Sequence, residues 1–204
     1  MNFWFGNSRF TVPFFRAGYH TQWAIPDVDQ TGMTQIQSDN ALMKNGLDYL
    51  RANPAQIPEL LWVKFLAYWS IDIFPRNNPV NGATPVLNPD GSVSIITSVG
   101  NNDPVAVYSQ PLFDQLGRVI HIIYFGSLFI LSLMSVPLTL RWWRSVSLIW
   151  LTQICMTMIY VIFVPATRYR VPTDPLLFML SAYTLVTAFT TIRRRTKSPV
   201  RAAV

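Results

Sequence analysis

The densest group of chemistry-bearing side chains is Arg168-Tyr169-Arg170-Val171-Pro172 with Asp174-Pro175. Guanidiniums at the edge of an apolar stretch can grip a phosphate through paired N–H donors while their stems lie on apolar surface. Interfacial anchoring, or an ion pair of either arginine with Asp174, uses the same residues, so these readings stand beside the phosphate one. Asp27 and Asp29, in Pro26-Asp27-Val28-Asp29, fit a solvated loop better than a metal or acid–base pair. The histidines, His20 and His121, lie far apart, and His121 reads as a hydrogen-bonded structural residue near the start of an apolar run. Cys155 is the one cysteine and can close no internal disulfide; with Met156 and Met158 it reads as packing. No zinc-type Cys/His spacing, phosphate loop, G-x-S-x-G elbow or H-E-x-x-H pattern occurs, so no metal or cofactor is implied.

The elements that must position these residues follow from composition. Of 204 residues, 50% are hydrophobic, 14% aromatic and 13% charged. Soluble domains average about 25% charged residues, so an ordinary globule is disfavoured. A disordered tail and a nucleic-acid-binding arm are excluded, since both need more charge and fewer aromatics. Charge is also split: residues 1–117 carry six basic and nine acidic side chains, and residues 118–204 carry ten basic side chains and Asp174.

Three uncharged or nearly uncharged runs fall in the second half, at about 119–140, 145–166 and 172–192. A helix of 22 residues reaches roughly 33 Å, enough for a hydrocarbon core of about 30 Å. The fold class expected is therefore mainly α and integral to a membrane, with three C-terminal transmembrane helices. Arg141 and Arg144 follow the first run, and Arg193, Arg194, Arg195 and Lys197 follow the third. By the positive-inside rule both clusters are cytoplasmic, which places residues 1–117 outside, along with Arg168 and Arg170. Residues 193–204 read as a basic tail inside, and the last ten of them, with Ser198-Pro199, as loose.

Residues 1–117 read as an extracytoplasmic, α-rich lobe with a small β-hairpin. Residues 1–36 show no helical period and suggest an irregular loop over the membrane surface. Ser38 or Asp39 is positioned to cap a helix ending near Ala52, before Pro54. Residues 58–74 predict a second helix, with Pro58 and Glu59 in its first turn. There Leu61, Phe65, Trp69 and Ile73 form an apolar stripe beside a polar one of Lys64, Tyr68 and Asp72. An interfacial helix and a core helix both accommodate this. In residues 85–96, Asn88-Pro89-Asp90-Gly91 marks a hairpin turn. No export signal precedes the lobe, and the expectation is a C-terminal part of a longer polytopic protein.

Three stretches carry a resemblance. Asn2-Phe3-Trp4-Phe5-Gly6-Asn7 is similar to the N-x-W-x-G-N segment of bacterial GT-C glycosyltransferases of the dolichyl-phosphate-mannose-protein mannosyltransferase type. Asp48-Tyr49-Leu50-Arg51-Ala52-Asn53-Pro54 followed by Lys64-Phe65-Leu66-Ala67-Tyr68-Trp69 resembles a second segment, and Arg168-Tyr169-Arg170-Val171-Pro172 with Pro175 resembles a third. The resemblance implies a multi-pass enzyme of the cell membrane that moves a sugar from a polyprenyl-phosphate donor to an acceptor on the outer face. It implies that Arg168, Tyr169, Arg170 and Lys64 face the lipid phosphate, with Tyr68 and Trp69 as cavity wall. The family's catalytic Asp lies in an early external loop and has no match here. Transfer therefore needs a further N-terminal membrane portion, and the chain is expected to be inactive alone. The alternative is a non-catalytic membrane protein with an outer lobe that binds a partner.

Overall fold

The structure is a computed structural model that describes residues 2–80, 83–97, 109–111 and 115–197. Among them the chain is mainly helical, with two small antiparallel strand pairs. It opens on helices where an irregular loop was expected. α1 (Asn2–Gly6) and α2 (Thr11–Arg16) precede a 3₁₀ turn, Thr21–Trp23. Both helices are shorter than two turns and hold too few residues to display a period. Tertiary burial stabilises them instead, as short helices require. Trp4, Phe10 and Phe14 are buried and cluster with Tyr19, Ala24 and Leu42.

α3 (Gln35–Ala52) begins one turn before the expected caps, because Thr34 and Gln37 form a capping box. Thr34 Oγ1 accepts the Gln37 N–H and Gln37 Oε1 accepts the Thr34 N–H at 2.9 Å. Ser38 is thereby inside the first turn, where its hydroxyl bonds to Gln30 Oε1 at 2.6 Å.

α4 (Ile57–Tyr68) ends six residues short of the expected 74. Its orientation is the more consequential difference. Leu60, Lys64, Ala67 and Tyr68 are buried, whereas Trp62, Phe65 and Leu66 are exposed. The polar-aromatic stripe therefore turns inward and much of the apolar surface outward. Beyond α4, β1 (Asn77–Pro79) pairs with β4 (Ser109–Pro111), and β2 (Ala83–Leu87) pairs with β3 (Val93–Thr97) as the expected hairpin. Gly91 takes φ +83° in its turn, and Asp90 Oδ1 accepts the Ser92 N–H at 2.9 Å.

α5 (Gln115–Thr139) and α6 (Trp143–Ile162) are joined by a 3₁₀ turn, Leu140–Trp142. A second 3₁₀ segment, Thr167–Thr173, leads into α7 (Asp174–Lys197). Two stretches are long and apolar enough to cross a membrane, Gln115–Ile162 and Thr167–Arg194. α6 stops before residue 166, and α7 runs to Lys197, into the tail expected from residue 193 and the first three of its ten residues expected to be loose. The expected Ser198-Pro199 portion of that tail lies outside the described residues. α7 packs on α5 and α4 packs on α6. At the α5–α7 contact, Ser181 and Thr184 hydroxyls donate to the Leu128 and Leu131 carbonyls, each at 2.9 Å. Small hydroxyl side chains of this kind let apolar helices approach closely.

Candidate functional site

Lys64 is fully buried on the inward face of α4. Its Nζ donates to Asn7 Oδ1 at 3.0 Å and to the Ile162 carbonyl at 3.1 Å. Asn7 Nδ2 donates to the same carbonyl at 2.8 Å. Ile162 is the last residue of α6, where carbonyls have lost their helical partners and the dipole favours a cation. Burial pulls the Lys64 ammonium down to a pKa of about 7. Gly6 makes this approach possible: a Cβ there would collide with the Phe163 carbonyl oxygen.

Arg170 does for α4 what Lys64 does for α6. Its Nη1 donates to the carbonyls of Tyr68 at 3.0 Å and Ser70 at 3.1 Å. Nε lies 3.5 Å from Asp174 Oδ1, and the guanidinium sits 3.3 Å from the Phe125 ring centroid. Arg170 is 1% exposed. Both residues are thus engaged inside the protein, and of these three cations Arg168 keeps its head in the open.

Arg168 lies on Tyr169, with Cζ 5.1 Å from the ring centroid and Nη2 donating to Tyr169 Oη at 3.3 Å. Tyr169 stacks on Tyr160 at 5.0 Å, and Tyr160 on Tyr68 at 5.6 Å. The structure therefore brings Tyr68, Tyr169 and Arg168 into one aromatic column. Arg168 also lines a cavity of about 450 Å³ with His20, Gln22, Trp23, Phe74 and Asn78. His20 is buried, and its Nδ1 accepts the Gln22 N–H at 3.0 Å, capping the 3₁₀ turn. That bond places the hydrogen of the neutral ring on Nε2. His20 Nε2 and Trp23 Nε1 are both buried without a hydrogen-bond partner. Burial, and secondarily the Arg168 charge, lowers the His20 pKa to about 4, so the imidazole is neutral near pH 7. No described residue lining the cavity is an Asp or Glu. The described lining offers the Arg168 guanidinium to an acceptor-rich group and supplies no carboxylate base. Neither His20 nor Trp23 stood out in the sequence, since no spacing rule links them to Arg168.

A second cavity, of about 460 Å³, is an apolar groove among α4, α5, α6 and α7, lined by Phe65, Trp69, Phe129, Trp150, Met158 and Leu177. Trp69 packs on Phe129 at 5.4 Å. Asp27 and Asp29 do not act as a pair: Asp27 binds Arg9 at 2.7 Å, and Asp29 accepts the Thr31 N–H at 2.9 Å. His121 stacks on Phe125 at 6.0 Å. Among the described residues no cluster of three metal-ligating side chains occurs. Comparison with known proteins adds no relative: no family model, no curated protein and no solved structure matches the chain.

Proposed function

We propose that the chain is a three-span membrane protein that holds a polyprenyl-phosphate sugar donor at the outer face of the cell membrane, as the C-terminal portion of a GT-C glycosyltransferase. The observation that carries this reading is the meeting of the three stretches on which the resemblance rests. Asn7 of the first bonds Lys64 of the second, and Arg170 of the third bonds the carbonyls of Tyr68 and Ser70 at the end of the second. That meeting supports reading the three stretches as one packed unit.

The helix ends support three alternating spans. Arg118 at the start of α5 bonds Asp72 at 2.7 Å, Ile162 at the end of α6 meets Lys64, and Arg170 before α7 meets α4. All three ends abut the lobe, while Arg141, Arg144, Arg193 and Arg194 mark the opposite ends. The outward Trp62, Phe65 and Leu66 then face the bilayer or its interface, which accounts for the inverted α4.

In this scheme Arg168 holds the donor phosphate, with Tyr169 supporting its guanidinium. The apolar groove takes the polyprenyl chain. Lys64 and Arg170 position α6 and α4 and do not touch the donor. Inverting transfer needs a carboxylate base, which a companion membrane portion supplies. The test is binding of a polyprenyl phosphate to the chain in lipid nanodiscs. Binding that Arg168→Ala weakens about tenfold or more supports the reading, since one hydrogen bond to a charged group contributes roughly 1.5–3 kcal/mol and 1.4 kcal/mol is one decade. Absence of binding overturns it.

A further inference from the structure

We infer that the end of the bundle away from the lobe carries an anionic-phospholipid site, with the headgroup phosphate held by Arg141 and Arg144 and an acyl chain seated between α5 and α6. The inference rests on the membrane-spanning part of the proposed function and is independent of the sugar donor. A three-residue turn joins α5 to α6, yet the two helices barely touch, because α5 packs on α7 and α6 on α4. The hairpin is therefore open beside its turn. A further cavity of about 310 Å³ lies there, lined by Val136, Leu140, Trp143, Val146, Ser147 and Trp150. Lining hydroxyls are spent on their own helices: Ser147 Oγ donates to the Arg144 carbonyl at 3.1 Å, and Thr139 Oγ1 to the Ser135 carbonyl at 2.8 Å. The cavity thus presents an apolar surface, which suits a hydrocarbon chain. Its mouth is cationic. Arg144 Cζ lies 5.7 Å from the ring centroid of Trp143, a lining residue. Arg141, next to the lining residue Leu140, has its Cζ 5.9 Å from the Trp142 centroid. Both guanidiniums and both indoles are exposed, and neither arginine forms an ion pair among the described residues. α6 starts at Trp143 with no side chain capping it, so its dipole adds positive character at the same place. In α5, α6, α7 and the turn the one acidic side chain is Asp174, at the opposite end. A zwitterionic headgroup brings its own cation into this field, whereas a net-negative phosphodiester brings none. Charge complementarity therefore selects an anionic lipid, as at other basic pockets beside spanning helices. Trp150 and Ile154 line both this cavity and the groove assigned to the polyprenyl chain, so chains entering from opposite leaflets meet along α6.

Native mass spectrometry of the chain in detergent, titrated separately with phosphatidylglycerol and phosphatidylcholine of the same acyl chains, tests the site. The native chain is expected to bind the first phosphatidylglycerol about tenfold more tightly than phosphatidylcholine, in line with two cations close to one anionic headgroup. Arg141→Gln combined with Arg144→Gln should erase that preference. Ser147→Phe fills the cavity from an exposed position without changing charge, and should weaken phosphatidylglycerol binding several-fold. Arg193→Gln combined with Arg194→Gln removes the same charge from residues that do not line the cavity, and should leave most of the preference in place. Equal affinity of the native chain for the two lipids overturns the site. An equal loss in the two double variants also overturns it, since the attraction is then diffuse, and so does native-like phosphatidylglycerol binding by Ser147→Phe. Polyprenyl phosphate is titrated in parallel, and the Arg141/Arg144 double variant should bind it as the native chain does. Absence of polyprenyl phosphate binding alongside a retained phosphatidylglycerol preference sinks the donor reading and leaves this site standing, so the two fail separately.

Discussion

Lys64 Nζ and Asn7 Oδ1 meet at 3.0 Å, joining the first helix of the lobe to α4 at the end of α6. The ammonium satisfies the Asn7 amide oxygen and shares the helix-terminal Ile162 carbonyl with Asn7 Nδ2. It is buried in doing so, and its depressed pKa records the cost of leaving water. The pair is a structural joint placed where the lobe meets the helical hairpin.

Removing that cation should be costly. Lys64→Ala is expected to destabilise the chain by about 2–4 kcal/mol, since it leaves a cavity and an unpaired Asn7 Oδ1. Lys64→Met should cost less, because it fills the volume and removes the buried charge along with its bonds. Thermal unfolding in detergent measures both. An unchanged midpoint for Lys64→Ala would remove the joint from the account of stability.

Gly6→Ala should be as damaging as any core truncation, from a single added methyl. The colliding atom is the backbone oxygen of Phe163, so no side-chain rotation relieves the clash. Loss of monodisperse protein, or a large drop in melting temperature, is the expected outcome. By contrast, a Cβ at Gly32 meets nothing within 4 Å, but Gly32 has φ +75°, so Gly32→Ala should show only a modest backbone penalty. Equal effects at the two positions would contradict the packing described.

Acid should loosen the region around His20. The folded pKa is about 4 against an ordinary 6.5, so between those values the unfolded chain binds more protons. This contribution to stability is complete above about pH 6.5 and is lost as pH falls toward 4. At roughly 1.4 kcal/mol per unit it amounts to about 3 kcal/mol. Melting curves at pH 7, 5.5 and 4 should show the decline, and His20→Phe should flatten it. A decline of the same size in the variant would assign the acid sensitivity to other groups.

The proposed orientation is open to a direct check. In a Cys155→Ser background, a cysteine at Asp90 should react with an impermeant thiol reagent added outside intact cells. A cysteine at Ser198 should react only after permeabilisation. The reverse pattern would invert the topology and place Arg168 on the cytoplasmic side.

Features that depend on neighbouring residues were legible in the sequence. The apolar stretches in 115–162 and 167–194, the hairpin turn at Asn88-Pro89-Asp90-Gly91 and the Pro54 break between α3 and α4 all reflect local composition or local backbone preference. The direction of α4 was not legible, because its stripes identify two faces without saying which solvent each one meets. Lys64 and Tyr68 turn inward because acceptors at Asn7 and Ile162 and the ring of Tyr160 await them there. α1 and α2 escaped notice because they are too short for a period and are stabilised by contacts with distant residues such as Leu42. Arg168 and Arg170, equivalent cations in the sequence, were separated by tertiary structure alone. The 3₁₀ geometry of Thr167–Thr173 carries one guanidinium under Tyr68 and Ser70 and leaves the other on Tyr169, beside the cavity it shares with His20 and Trp23.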